Sequence, residues 1–193
     1  MSEDTAPFLL RDYEKKDFDA IFKLDRLCFE PGVAYSRPEL SSFIEQRRSF
    51  TIVAEFPPEP ALQISTTDDL ALEVAAEAER YEAGQRQAHA EVRGHVAGFL
   101  TYHLQKQEYG HIITLDVHPE ARRQRLGSLL MAAACERLRK RTAFMVVLEV
   151  AVNNHPALAF YERHGFLRSL IDPMMLMTTL ADVERELSGV KRK

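Results

Sequence analysis

The chain has 193 residues, 46% of them hydrophobic, and 25 lysines and arginines against 29 aspartates and glutamates give a formal net charge of -4. This length and apolar content suit one well-buried domain over residues 1–193, and the acidic balance argues against general nucleic-acid binding. No apolar run approaches the roughly 18 residues that span a bilayer, and the acidic start Met1-Ser2-Glu3-Asp4 lacks the pattern of a secretory leader, so the expected setting is the cytoplasm. Cys28 and Cys135, the two cysteines, are too far apart for a zinc site or a disulfide framework and read as buried small hydrophobes.

In chain order, Phe8-Leu9-Leu10-Arg11 predicts a strand, and Asp17 reads as the cap of a helix from Phe18 to Phe29 that Glu30-Pro31-Gly32 ends. Ser36-Arg37-Pro38-Glu39 combines a cap, an early proline and an acidic first turn, which predicts a second helix through Leu40 and Ile44. Phe50–Ala54 and Val96–Leu104 read as paired strands. Between them, residues 57–95 have the composition of a mobile hairpin insert with one exposed Ala/Glu-rich helix from Leu70 to Ala83. Ile112–Val117 is β-branched and strand-like, Leu126–Leu138 is helical in period, and Phe144–Val150 is a nearly all-apolar strand interrupted by Glu149. A short helix from Pro156 to His164 stops at Gly165, and Phe166–Ile171 with Met174–Thr179 predicts a closing pair of strands. Residues 181–193 read as a charged tail.

The turn Arg122-Arg123-Gln124-Arg125-Leu126-Gly127-Ser128 lies between a strand and a helix start. A helix start carries unpaired N–H groups and roughly half a positive charge, so the turn is suited to a phosphate, with Gly127 admitting a close approach. It matches neither the P-loop nor the dinucleotide fingerprint, since Gly127 is its one glycine. His103, His111, His118, His155 and His164 have no ligand spacing, read as surface or loop residues, and predict no metal.

Taken with Leu148-Glu149-Val150, Asn154 and the run Ala157–Phe166, the turn resembles that of the GNAT superfamily of acetyl-CoA-dependent N-acetyltransferases. The family pattern, Arg/Gln, two residues, Gly, one residue, Gly/Ala, aligns with Arg122 to Gly127, and Arg125 stands where the first glycine belongs, which a side chain tolerates if φ is negative. The resemblance implies an α/β fold: a mixed, largely antiparallel twisted sheet with helices on both faces and the cosubstrate held where two central parallel strands splay. It further implies that Arg122, Arg123, Gln124, Arg125, Leu126, Gly127 and Ser128 hold the pyrophosphate of coenzyme A. Leu115, Asp116 and Val117 would line the pantetheine arm, with Asn154 and Tyr161 also touching the cosubstrate.

The narrower match is to bacterial enzymes that acetylate the N-terminal alanine of a ribosomal protein, which implies Glu149 as general base and Tyr161 as general acid, with Tyr35 and Glu149 beside the acceptor amine. This chain departs from that pattern at Ala151, where arginine is usual, and at Leu170-Ile171-Asp172-Pro173, where tyrosines are usual. Glu149 in an apolar strand would be a carboxylate whose burial favours taking up a proton. The expected partners are acetyl-CoA and a protein N-terminus, with a small amine or lysine as the alternative acceptor and a non-catalytic acyl-CoA-binding module as the reading from another class.

Overall fold

All nine residues of the strand Val96–Leu104 are buried, and this strand is the axis on which the rest of the chain is layered. The computed structural model describes residues 8–30, 32–57, 96–106, 109–170, 172 and 174–190. The insert expected at 57–95, with its helix, lies outside the described residues apart from Pro57. Seven strands, β1 (Leu9–Asp12), β2 (Ser49–Glu55), β3 (Val96–Leu104), β4 (Tyr109–Val117), β5 (Met145–Glu149), β6 (Leu167–Arg168) and β7 (Met175–Thr179), form one sheet in the order β1-β2-β3-β4-β5-β7-β6. Each neighbouring pair is antiparallel except β4 and β5, which run parallel. The expected mixed, largely antiparallel sheet is therefore the one observed.

Alternation along the strands sends side chains to two cores. Ile21, Leu24 and Leu40 of α1 (Phe18–Cys28) and α2 (Arg37–Glu45) meet Val53, Val96 and Phe99 on one face. On the other, α3 (Leu126–Arg139), α4 (His155–Glu162) and α5 (Leu180–Val190) cover Ile52, Leu100, Tyr102, Ile112, Val146 and Leu148. The buried stripe of α3 is Leu126, Leu130, Met131, Ala134, Cys135 and Leu138, the helical spacing legible in the sequence. No helix among the described residues is long and apolar enough to cross a membrane.

Local chemistry sets the helix ends. Ser36 and Glu39 form the reciprocal capping box of α2, with the Ser36 N–H donating to Glu39 Oε2 at 2.8 Å. Asp17 does not cap α1 as expected: it lies in a short 3-10 turn, and its carboxylate accepts the fork of Arg11 at 2.6 and 2.8 Å. An arginine fork is a stronger partner than a backbone N–H, and it holds the Asp17 carboxyl below the usual carboxylate range. Gly165, at φ +81°, ends α4 as its sequence position predicts. Of the strand expected over 166–171, only Leu167–Arg168 is observed. The expected charged tail is helix α5, whose Leu180 and Val183 are buried in the core.

One irregularity decides which way the side chains of β4 point. Thr101 pairs with Thr114 and Tyr102 with Ile112, so Ile113 is an extra residue in β4, a bulge that flips the alternation beyond it. Ile112 before the bulge and Leu115 and Val117 after it all pack on the α3 side. Thr114 and Asp116 are turned to the other face.

Candidate active site

Pairing between β4 and β5 ends at Ile112 and Leu148, and beyond these residues the two parallel strands part. The backbone of β4 past that point is half used. The His118 N–H donates to the Ala97 carbonyl, which fixes the phase of the ladder: Asp116 opposite Phe99 is a hydrogen-bonded pair, and Leu115 opposite Leu100 and Val117 opposite Gly98 are not. The N–H and C=O groups of Leu115 and Val117 therefore point away from β3 into the splay, as expected of a strand edge that receives a ligand. Those of Asp116 do not, and its side chain is buried on the opposite face, so Asp116 is set apart from the edge it was grouped with.

Three side chains hold this edge. The Tyr35 hydroxyl donates to the carbonyl of the bulged Ile113 at 3.3 Å. The Val117 carbonyl accepts from Arg122 Nε at 3.1 Å and from the Cys28 thiol at 3.4 Å. Behind the edge, Asp116 Oδ1 accepts from the Thr114 hydroxyl at 2.5 Å, while its Oδ2 is buried with no partner. Burial pushes this carboxyl up to about 8, aided by the nearby Asp25 carboxylate. Asp25 is itself fully buried; one oxygen accepts the Tyr35 N–H at 2.8 Å, the other has no partner, and burial raises this carboxyl too.

The turn that leads into α3 has an unusual backbone. Arg123 and Arg125 both sit in the left-handed region, at φ 62° and 63°, which contradicts the negative φ expected of Arg125. Such alternation turns successive N–H groups into one concavity, a backbone nest for an anion. The helix ladder begins at the Leu129 N–H, which donates to the Arg125 carbonyl, so the N–H groups of Leu126, Gly127 and Ser128 ahead of it have no place in that ladder. The helix start, with the exposed Arg123 and Arg125 side chains beside it, makes this turn suited to an anion. Gly127 also serves the packing of the next helix: a Cβ there would meet the Phe160 ring at 3.2 Å, so the glycine lets α4 lie close to the start of α3.

That contact is reinforced from α4. His164 Nδ1–H donates to the Phe160 carbonyl at 2.7 Å, which leaves Nε2 to accept the Ser128 hydroxyl at 2.9 Å. Burial lowers the basicity of this imidazole, so it stays neutral, as the arrangement requires. His103, His118 and His164 are buried and His111 is half-buried; only His155 of the five is exposed as expected. Asn154 caps α4 by accepting the Ala157 N–H at 3.2 Å.

Glu149 and Tyr161 differ from expectation in environment. Glu149 ends β5, and its side chain is 57% exposed, so the burial expected of an apolar strand does not act on it. Tyr161 is buried against Phe160 and Phe166, and desolvation, then Asp116, raises its phenol above the ordinary range. The phenol is therefore a hydrogen-bond donor throughout the physiological range. Cys28 is likewise kept as a thiol, pushed up to about 11 by burial and by Asp116. A cavity of about 490 Å³ between Tyr13, Phe50, Tyr102, Arg137 and Arg141 lies elsewhere: it sits at the C-terminal end of α3, roughly 20 Å along that helix from the cradle.

The strands, turn and helices that build this site fall within residues 18–166, which fit the model of the acetyltransferase (GNAT) family. The chain belongs to this family. Over 72 residues it is 35% identical to a proposed ribosomal protein bS18-alanine N-acetyltransferase of Bacillus subtilis (strain 168), a match that covers 37% of this chain and about half, 47%, of that relative. Solved structures agree in fold. The ribosomal-protein-S18-alanine N-acetyltransferase of Escherichia coli superposes with a TM-score of 0.60 at 16% identity, covering 90% of this chain and 94% of that one. A PaiA N-acetyltransferase of Thermoplasma acidophilum, in complex with coenzyme A, gives a TM-score of 0.62 at 14% identity, with coverage of 93% and 99%.

Proposed function

We propose that this GNAT-family acetyltransferase takes acetyl-CoA as donor and a protein N-terminal α-amine as acceptor, in a ternary complex with direct attack. The observation that carries the donor assignment is the start of α3, with the N–H groups of Leu126, Gly127 and Ser128 outside the helix ladder, beside the β4 edge at Leu115 and Val117 that points away from β3. The cradle suits a pyrophosphate and the edge suits an amide-bearing arm. The donor supplies an activated thioester. The chain's own residues then do three things: Leu115 and Val117 orient the acetyl carbonyl, Glu149 receives the amine proton directly or through water, and Tyr161 meets the departing sulfur.

Environment refines the role of Tyr161. A leaving thiolate of ordinary basicity, near 8.5, would not strip a phenol held above about 10, so Tyr161 stabilises the sulfur by donating a hydrogen bond rather than by full transfer. Cys28, the thiol nearest the edge, is held protonated, which supports direct attack over an acetyl-cysteine intermediate. An α-amine near pKa 8 is roughly a tenth neutral at pH 7, whereas a lysine near 10.4 costs roughly 3 kcal/mol more to deprotonate. An exposed carboxylate suits the easier task, and the half-length match to the Bacillus relative points the same way.

Free thiol release should be followed with acetyl-CoA and a panel of N-terminal peptides, N-terminally blocked lysine peptides and polyamines. Turnover confined to free N-termini is the expected result. Turnover of lysine or polyamines alone would overturn the acceptor assignment, and acetyl-CoA binding with no thiol release on any acceptor would favour a pure binding module.

A further inference from the structure

His111 has no place in the motifs that define the family resemblance, yet it stands beside Glu149. The parallel register sets His111 of β4 opposite Val147, so Glu149, two residues along β5, leaves the same face of the sheet. His111 Nε2 lies 3.9 Å from Glu149 Oε1, a gap that one small side-chain shift or one bridging water closes. Resting on the acetyl-transfer reading above, we propose that His111 is the proton-relay partner of Glu149. As the acceptor nitrogen bonds to the acetyl carbon and the carbon–sulfur bond breaks, the amine proton passes through Glu149 to His111 Nε2. The imidazolium releases it to solvent, and the departing thiolate regains a proton from solvent.

Position and charge fit this role. The imidazole is mostly enclosed, with 24% of its side chain exposed, enough for a path to water. Burial lowers its basicity, Glu149 on β5 raises it, and His103 on β3 lowers it; these are the charged or titratable groups that act on it. His103 is itself committed, its Nε2–H donating to the Phe43 carbonyl of α2 at 2.8 Å. Nearby Tyr35 spends its hydroxyl on the Ile113 carbonyl and so does not compete for either member of the pair. At neutral pH His111 is thus an unprotonated imidazole with an open nitrogen toward Glu149. An amine becomes strongly acidic as its bond to the acetyl carbon forms, and a neutral imidazole is a competent acceptor for such a proton. Handing the proton on frees Glu149 for the next turnover.

The test compares wild type, His111→Gln, Glu149→Gln and the double variant in thiol release from pH 5.5 to 9, with thermal melts to establish that each is folded. His111→Gln is expected to lower kcat by roughly 10- to 100-fold, leave the KM for acetyl-CoA within about twofold, and remove the acid limb of the rate profile. The double variant should be no slower than the slower single one, because both remove one relay. A companion NMR titration of the His111 ring needs no acceptor: Glu149→Gln should move its midpoint downward. A His111→Gln enzyme within twofold of wild type with the same acid limb, multiplicative losses, or a His111 titration indifferent to Glu149 would each overturn the relay. Failure of the wild type on every N-terminal peptide would instead defeat the acceptor assignment, while the titration would still decide the pair.

Discussion

Arg125 holds its left-handed backbone at a price, since a non-glycine residue there costs roughly 1–2 kcal/mol. Glycine at this position removes that strain but loses roughly 0.5–1 kcal/mol to the greater freedom of the unfolded chain. Arg125→Gly should therefore stabilise the protein by about 0.5–1 kcal/mol, visible as a melting temperature about 1–4 °C higher. The amide that faces the cradle stays in place and the lost side chain is exposed, so acetyl-CoA affinity should hold within about threefold in a calorimetric titration. A severalfold gain in affinity would mean that the arginine side chain obstructs the cradle. Asp116 makes a second prediction, and its sign follows from burial. Its carboxyl is protonated in the folded protein up to about pH 8, whereas in the unfolded chain it ionises near 4, so folding takes up a proton across that window and stability falls as pH rises through it. Asp116→Asn, which can still accept the Thr114 hydroxyl, should melt like wild type near pH 4 and gain steadily up to pH 8, by at most about 1.4 kcal/mol per pH unit. A constant offset at all pH values would show that Asp116 does not ionise differently on folding.

At the scale of elements, the site depends on how closely α3 lies on β4. Gly110 has no side chain because a Cβ there would fall 2.3 Å from a Leu138 methyl, and Leu138 is fully buried with no space to turn into. Gly110→Ala should cost about 1–3 kcal/mol by overpacking. Leu138→Ala alone should cost about 2–5 kcal/mol through its cavity. Combined, the two should cost less than their sum, by about 0.5 kcal/mol or more, because each relieves the other; strict additivity in urea unfolding would show that the residues do not share this contact. The same packing separates what was legible in the sequence from what was not. The α3 stripe, the Ser36–Glu39 box and the strand-to-helix turn are local patterns, readable from spacing alone. The bulge at Ile113 is not, because Ile112-Ile113-Thr114 reads as an unbroken β-branched strand with no glycine to mark it, and so the face taken by Asp116 could not be foreseen. The exposure of Glu149 depends on where β5 leaves its neighbour, a property of two strands rather than of one. His164 is a loop residue by sequence, and only the approach of α4 to the start of α3 makes it a buried bridge to Ser128.

Across the whole molecule, the last helix decides whether the layers close. Read along the sequence, Asp182, Glu184, Arg185 and Glu186 mark residues 181–193 as a charged tail, but in the helix Leu180, Val183 and Leu187 form an apolar stripe beside these charges. Leu180 and Val183 are buried, and Leu187 packs against the core shared with α3 and β5. Glu184 pairs with Arg139 of α3 at 3.3 Å, and Gly165, at the turn after α4, packs against Asp182 and Glu186. The helix therefore joins β7, α3 and the end of α4, which frame the cradle and Tyr161. Burying three such side chains contributes on the order of 5 kcal/mol, comparable with the roughly 5–15 kcal/mol net stability of a typical domain. Deleting residues 180–193 should accordingly leave no cooperative melt and no acetyl-CoA binding. Because truncation is drastic, Val183→Ala gives the graded version: a loss of about 2 kcal/mol and a melting temperature about 4–8 °C lower, with acetyl-CoA affinity unchanged while the protein is folded. A truncated chain that melts like the full one, or a Val183→Ala variant as stable as wild type, would show that the sheet and α3 close without this helix.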